Sequence, residues 1–163
     1  MGATIVGSVS TEERAEATRA AGCDYAVVRS KNSFLEVVRE VTNGEGCAVV
    51  YEAIGKDTMR ESLDSLRLMG VCAAYGHVSG PPDPIDVIQD LGRRGSLFIT
   101  RPAIMHYVAK RADLEWTARD LFKAIGDGIL SANINYEYAL KDAVKAHEAI
   151  ESGNTLGASI LIP

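Results

Sequence analysis

Short apolar strands alternating with amphipathic helices predict an α/β protein, a doubly wound parallel sheet with helices on both faces. Three observations carry this. The strand segments are continuous apolar runs, the signature of strands buried on both sides. The intervening segments have helical periodicity. The stretch Ala48–Leu63 joins the two: Ala48-Val49-Val50-Tyr51 reads as a buried strand, Glu52-Ala53-Ile54-Gly55 as a tight turn, and a helix follows from Thr58. Met59, Leu63 and Leu66 share one face of that helix, and Ser62 is expected to turn away. Ligands of open α/β sheets bind beyond the carboxyl ends of such strands. The turn Glu52–Gly55 therefore reads equally as a ligand-binding turn or a purely structural one.

In chain order, Ala3–Val9 is a strand. Ser10-Thr11-Glu12-Glu13 forms a capping box with Ser10 as N-cap. The alanine-rich helix behind it stops at Gly22. Tyr25–Val28 is a strand, and Phe34–Val41 a helix with Phe34, Val37, Val38 and Val41 on one side. After the central strand and its helix come a strand at Gly70–Tyr75, a loop from Gly76 to Pro82 and a short helix at Asp86–Gly92. Ser96–Thr100 is a strand stopped by Arg101-Pro102. Ile104–Ile125 is helical with a break near Ala112-Asp113, Ile134–Tyr138 a strand, Asp142–Glu151 a helix and Ala158–Ile162 a terminal strand.

Composition excludes several classes. A net charge of −5 in 163 residues, with no clustered basic face, gives no reason to expect nucleic-acid binding. No apolar run is long enough to span a membrane, and the N-terminus lacks the basic region of a signal peptide. Cys23, Cys47 and Cys72 are odd in number and sit in apolar surroundings, so they read as core residues rather than disulfides or ligands. His77, His106 and His147 show no metal-ligand spacing. These features point to a cytoplasmic protein without a metal.

The ligand signals are partial. A dinucleotide site opens with a strand and G-x-G-x-x-G leading into a helix, and no segment offers that. The first strand instead behaves like the second strand of such a fold. There, an acid selects NAD, whereas hydroxyls and a cation select the 2′-phosphate of NADP. This sequence places Ser8, Ser10, Thr11 and Arg14 at that end, with Glu12 and Glu13 opposing an anion. The same residues also read as a capped helix with a solvated face.

Four segments in order, VVYEAIGKDTMRESLDSLR, GVCAAYGHVSGP, GSLFITRP and ALKDAVKAHEAIESGNTLGASILIP, resemble the zeta-crystallin-like quinone oxidoreductases of the medium-chain dehydrogenase/reductase superfamily, its zinc-independent members. The resemblance runs from Gly2 to Pro163. It implies a Rossmann-like fold truncated at its N-terminus, residues 1–163 forming a partial NADP-binding domain whose first strand and Gly-rich turn are absent. Met1 falls at an internal position of the family, and strand 158–162 would return towards a missing catalytic domain. The implied activity is NADPH-dependent reduction of a quinone or enone by hydride transfer, with no catalytic residue in this chain and no turnover by the chain alone. The alternative is a non-catalytic, self-associating fragment with weak or no nucleotide binding. A methyltransferase with a similar sheet is disfavoured by GSLFITRP and the tail.

Residue by residue, the resemblance implies that Ser10, Thr11 and Arg14 hold the adenosine 2′-phosphate, with Arg14 in place of a lysine. Arg29 lies near the adenine, where the family often has tyrosine. Ala53 and Ile54 line the ribose side. Tyr75, Gly76, His77 and Val78 form the loop under the nicotinamide, with His77 replacing asparagine. Ile99, Thr100 and Arg101 border the carboxamide. Gly153 and Asn154 stand where the family has a cofactor-contacting arginine. His147 is expected to pack within its helix. The edge Ser96–Thr100 is the implied homodimer contact. The missing first strand should leave a gap between the strands at Ala3 and Ala48, which the terminal strand Ala158–Ile162 is a candidate to fill.

Overall fold

The computed structural model describes residues 2–153 and 155–163. Expectations for Met1 and Asn154 fall outside these residues. The chain forms two compact units, Met1–Ile104 and Met105–Pro163. The first contains β1 (Val6–Val9), α1 (Glu12–Ala20), β2 (Tyr25–Val28), α2 (Phe34–Val41), β3 (Cys47–Glu52), α3 (Met59–Asp64) and β4 (Leu66–Ala74). A π-helical turn (Val87–Gly92), α4 (Arg93–Gly95) and β5 (Phe98–Thr100) complete it. α5 (Ile104–Tyr107) begins where the first unit ends. The second unit carries α6 (Arg111–Gly126), β6 (Ile134–Ala139), α7 (Ala143–Glu151) and β7 (Ala158–Ile162).

All strand pairings among the described residues are parallel, as the alternation of elements predicts. They form three sheets: β1-β2, β3-β4-β5 and β6-β7. The main core lies where α3 packs on β3 and β4. Val50, Met59, Leu63, Leu66, Cys72, Ala74 and Leu97 are buried together there. Burying a side chain such as Leu63 is worth about 1.5–3 kcal/mol.

Several elements differ from the sequence reading for identifiable reasons. The first strand is shorter, because ladder pairing with β2 begins at Val6↔Tyr25. Thr11, not Ser10, caps α1: its Oγ1 accepts the Arg14 backbone N–H at 3.3 Å. Ser62 turns inward, because its hydroxyl donates to the buried Glu52 carboxylate. Leu66 already belongs to β4. Ser96 adopts a left-handed conformation (φ 56°) and Leu97 is buried, which confines β5 to Phe98–Thr100. The long helix breaks at 108–110 rather than at Ala112-Asp113. β7 pairs with β6, so it does not fill the first unit.

β1 and β3 are not paired with each other. A cleft of about 800 Å³ lies between them, lined by Ile5–Ser8, Val49–Ile54 and neighbouring residues. β3 was expected to be buried. Instead Val49 is 43% and Tyr51 76% exposed, because their side chains alternate with those of Val50 and Glu52 and lie on the face of β3 away from α3, which buries Val50.

Candidate functional site

The carboxyl end of β3 is organised by one buried carboxylate. Glu52 is 3% exposed. Its Oε1 accepts the backbone N–H groups of Ile54 (2.6 Å) and Gly55 (3.0 Å) and the Thr58 hydroxyl (2.9 Å), and its Oε2 accepts from Ser62. The side chain thus closes the turn and ties it to the start of α3. Burial pushes the Glu52 pKa up, but the donors from Ser62, Gly55, Thr58 and Ile54 outweigh it, so the carboxyl lies below its ordinary value. Burial and the Glu52 charge push the neighbouring Cys72 thiol up to about 11, which leaves it inert as a nucleophile at neutral pH.

The turn after β3 is zipped to the loop after β4. Tyr75 and Gly76 N–H groups donate to the Glu52 carbonyl (2.9 and 3.2 Å), and Val78 N–H to the Ala53 carbonyl (3.2 Å). Ser79 donates to the Ile54 carbonyl from both its N–H (2.8 Å) and its hydroxyl (2.9 Å). The approach requires glycine at two places. At Gly76 a Cβ would lie 2.8 Å from Ala53 Cα, and at Gly55 (φ 95°) it would lie 3.0 Å from His77 Cα. From the end of β5, Arg101 donates to the Ala74 carbonyl at 2.9 Å, and a second guanidinium nitrogen lies 3.3 Å from His77 Nδ1. A guanidinium only donates, so the ring nitrogen of His77 is the acceptor side of this contact. The structure therefore brings Ala53, Ile54, Tyr75, Gly76, His77, Val78 and Arg101 together. Ile99 and Thr100 lie in β5, paired with Cys72 and Ala73.

The other candidates gather at the ends of β1 and β2. Arg29 N–H donates to the Val9 carbonyl at 3.0 Å, which sets Arg29 beside the segment leading to Ser10 and the Thr11 cap. Glu12, which seemed to oppose an anion, is paired with Lys31 at 2.8 Å and Arg19 at 3.6 Å. The Lys31 hydrogen bond and charge, with Arg19 behind them, hold its carboxyl below its ordinary value. Lys31 is the residue that sequence reasoning missed. It is 19 positions from Glu12, and only the β2–α1 packing brings it close. Arg29, Ala53, Ile54 and Tyr75 line the cleft between β1 and β3, together with Ser8. Ser10, Thr11 and Arg14 are outside that lining.

The sequence profile of the family described as "Zinc-binding dehydrogenase" matches residues 1–118. The chain belongs to this family. It falls in the medium-chain dehydrogenase/reductase superfamily, and its parallel α/β units have the Rossmann-like fold of that superfamily's NADP-binding domain. The chain is 48% identical to a 2-haloacrylate reductase from a Burkholderia species over 163 residues, covering 100% of this chain and 49% of the relative. It is 37% identical to a quinone oxidoreductase from Salmonella typhimurium, covering 50% of that protein. The crystal structure of Escherichia coli quinone oxidoreductase complexed with NADPH superposes with a TM-score of 0.92 at 34% identity, over 99% of this chain and 50% of that one. The chain thus spans about half the length of the relatives it matches, their C-terminal half.

The family's name mentions zinc. Among the described residues no group of three or more His, Cys, Asp or Glu side chains could hold a metal ion, so the residues present do not fit one. Among them, too, no helix is long and apolar enough to cross a membrane.

Proposed function

We propose that this chain is the cofactor-binding half of an NADPH-dependent oxidoreductase that reduces a quinone or another activated alkene. The observation that carries this reading is the placement of the candidate residues: the carboxyl ends of β1 to β5 collect them, where α/β sheets bind nucleotides. The relatives include a quinone oxidoreductase solved with NADPH and a 2-haloacrylate reductase, which supports both the cofactor and an electron-poor double bond as acceptor.

In this reading Ser10 and Thr11 offer hydroxyls and Arg14 a charge-assisted donor to the adenosine 2′-phosphate. Arg29 lies by the adenine, and Lys31 neutralises Glu12, which would otherwise repel the phosphate. Ala53 and Ile54 form the floor under the ribose. Tyr75, Gly76, His77 and Val78 support the nicotinamide, with Ile99, Thr100 and Arg101 at its carboxamide edge. NADPH, when bound, supplies the hydride. The chain's part is to orient the cofactor and exclude water, without zinc and with no proton donor of its own. The working location is the cytoplasm, and the assembly a homodimer through the exposed edge of β5, where Phe98 is 59% exposed.

Hydride transfer needs acceptor and cofactor held together in one cleft. The pure 163-residue chain is therefore expected to oxidise no NADPH with benzoquinone or 2-chloroacrylate, whereas a two-half protein carrying this chain does. Measurable turnover by the pure chain would overturn the assignment. Light scattering on the same samples reads the dimer, which a monomer at all concentrations would exclude.

A further inference from the structure

Arg101 and His77 stand together at the carboxyl ends of β5 and β4 with no acid to pair with. We propose that they recognise a carboxylate, so that the acceptor is a small α,β-unsaturated carboxylate rather than a neutral quinone. The guanidinium is anchored first. It donates to the Ala74 carbonyl at 2.9 Å, and its other terminal nitrogen lies 3.3 Å from His77 Nδ1. Both contacts are with uncharged acceptors, so the positive charge of Arg101 is oriented but not cancelled. Among the described residues neither Arg101 nor His77 has a carboxylate partner. Arg19, Lys31, Arg60, Arg67 and Arg94 of the same unit each face one. Glu52, the acid of the adjoining turn, is buried and committed to its own donors.

The surroundings define the anion. Both residues are exposed, and the backbone beneath His77 is fixed by the approach of Gly55, where a Cβ would lie 3.0 Å from His77 Cα. His77 Nε2 has no partner among the described residues. A planar guanidinium grips a carboxylate through paired N–H···O bonds, and an imidazole nitrogen beside it adds a further point of contact. A quinone offers carbonyl oxygens without charge and leaves Arg101 uncompensated. In the reading above these residues border the nicotinamide, so a carboxylate held by them sets its conjugated double bond beside the hydride donor. The inference rests on that reading. The β-carbon gains the hydride, a proton from water completes the α-carbon, and the carboxylate itself is unchanged.

The test uses a two-half protein carrying this chain, with its His77→Leu, Arg101→Gln and Arg101→Lys variants. The kcat/KM for 2-chloroacrylate is divided by that for 2-chloroacrylamide, which has the same double bond without the charge, so any loss common to both cancels. The ratio is expected to fall by about tenfold or more in His77→Leu and Arg101→Gln, through the KM of the acid, and to be kept in part by Arg101→Lys. A second readout needs no turnover. Ligand NMR with NADP+ present should show 2-chloropropionate bound more tightly than 2-chloropropionamide by wild type, and released in the same two variants. If Arg101→Gln loses the Ala74 anchor and fails to fold, His77→Leu decides. An unchanged ratio, or acid bound no better than amide by wild type, overturns the inference. So does a weakening of NADPH binding that accounts for the whole loss, which would assign both residues to the cofactor. If wild type reduces benzoquinone but neither acrylate, the reductase reading stands and this inference falls. If it reduces nothing, that reading falls and the NMR comparison decides the carboxylate site.

Discussion

Glu52→Ala is expected to lower the unfolding free energy of the first unit by about 3 kcal/mol or more, a large fraction of the roughly 5–15 kcal/mol that a domain possesses. The substitution removes the acceptor for four donors. Of these, the Gly55 N–H and the Ser62 hydroxyl are buried. A buried donor left without a partner costs about 1–3 kcal/mol. Glu52→Gln keeps one acceptor oxygen and should cost less. Urea titrations of both variants check this, and a loss under about 1 kcal/mol for the alanine variant would contradict the role assigned to Glu52. The same group sets a pH dependence. Its folded pKa is below the ordinary 4.5, so its contribution is complete above that value and fades as pH falls through the folded pKa. Wild type should therefore lose stability in acid more steeply than Glu52→Gln.

Gly76→Val is expected to cost about 2–3 kcal/mol and to separate the loops after β3 and β4. The new Cβ would meet backbone, Ala53 Cα at 2.8 Å and Ala53 C at 2.9 Å, so no side chain can rotate out of the way. The loop must move as a unit and carry His77 and Val78 with it. Gly126→Ala is the control: it meets nothing within 4 Å and should be neutral or stabilising by about 0.5–1 kcal/mol. Thermal melts of the pair would show the contrast, and equal behaviour would mean that the loop contact is not tight.

The parallel α/β class was legible because periodicity records which faces are buried, and Tyr25–Val28 and Phe34–Val41 have the predicted bounds. Ends set by single hydrogen bonds were not legible. Ser10 and Thr11 are chemically equivalent caps, and only backbone geometry selects Thr11. Ser62 looked solvent-facing because its partner, Glu52, is ten residues away on a strand. Glu52 itself read as part of a turn, since nothing local announces a buried carboxylate. The Glu12–Lys31 pair likewise depends on tertiary packing. The exposure of Val49 and Tyr51 follows from the uncovered face of β3 opposite α3, and a continuous apolar run does not record that only one of its faces is packed.

The cofactor assignment turns on the end of β1, where Thr11 caps α1 and Arg14 occupies its first turn. Fluorescence titration of NADPH and NADH against a two-half protein carrying this chain, compared with its Arg14→Ala variant, addresses it most directly. The account predicts that the variant loses about 1.5–3 kcal/mol of NADPH binding, roughly 10- to 150-fold, with NADH affinity unchanged. An equal loss for both nucleotides, or no loss for either, would contradict it.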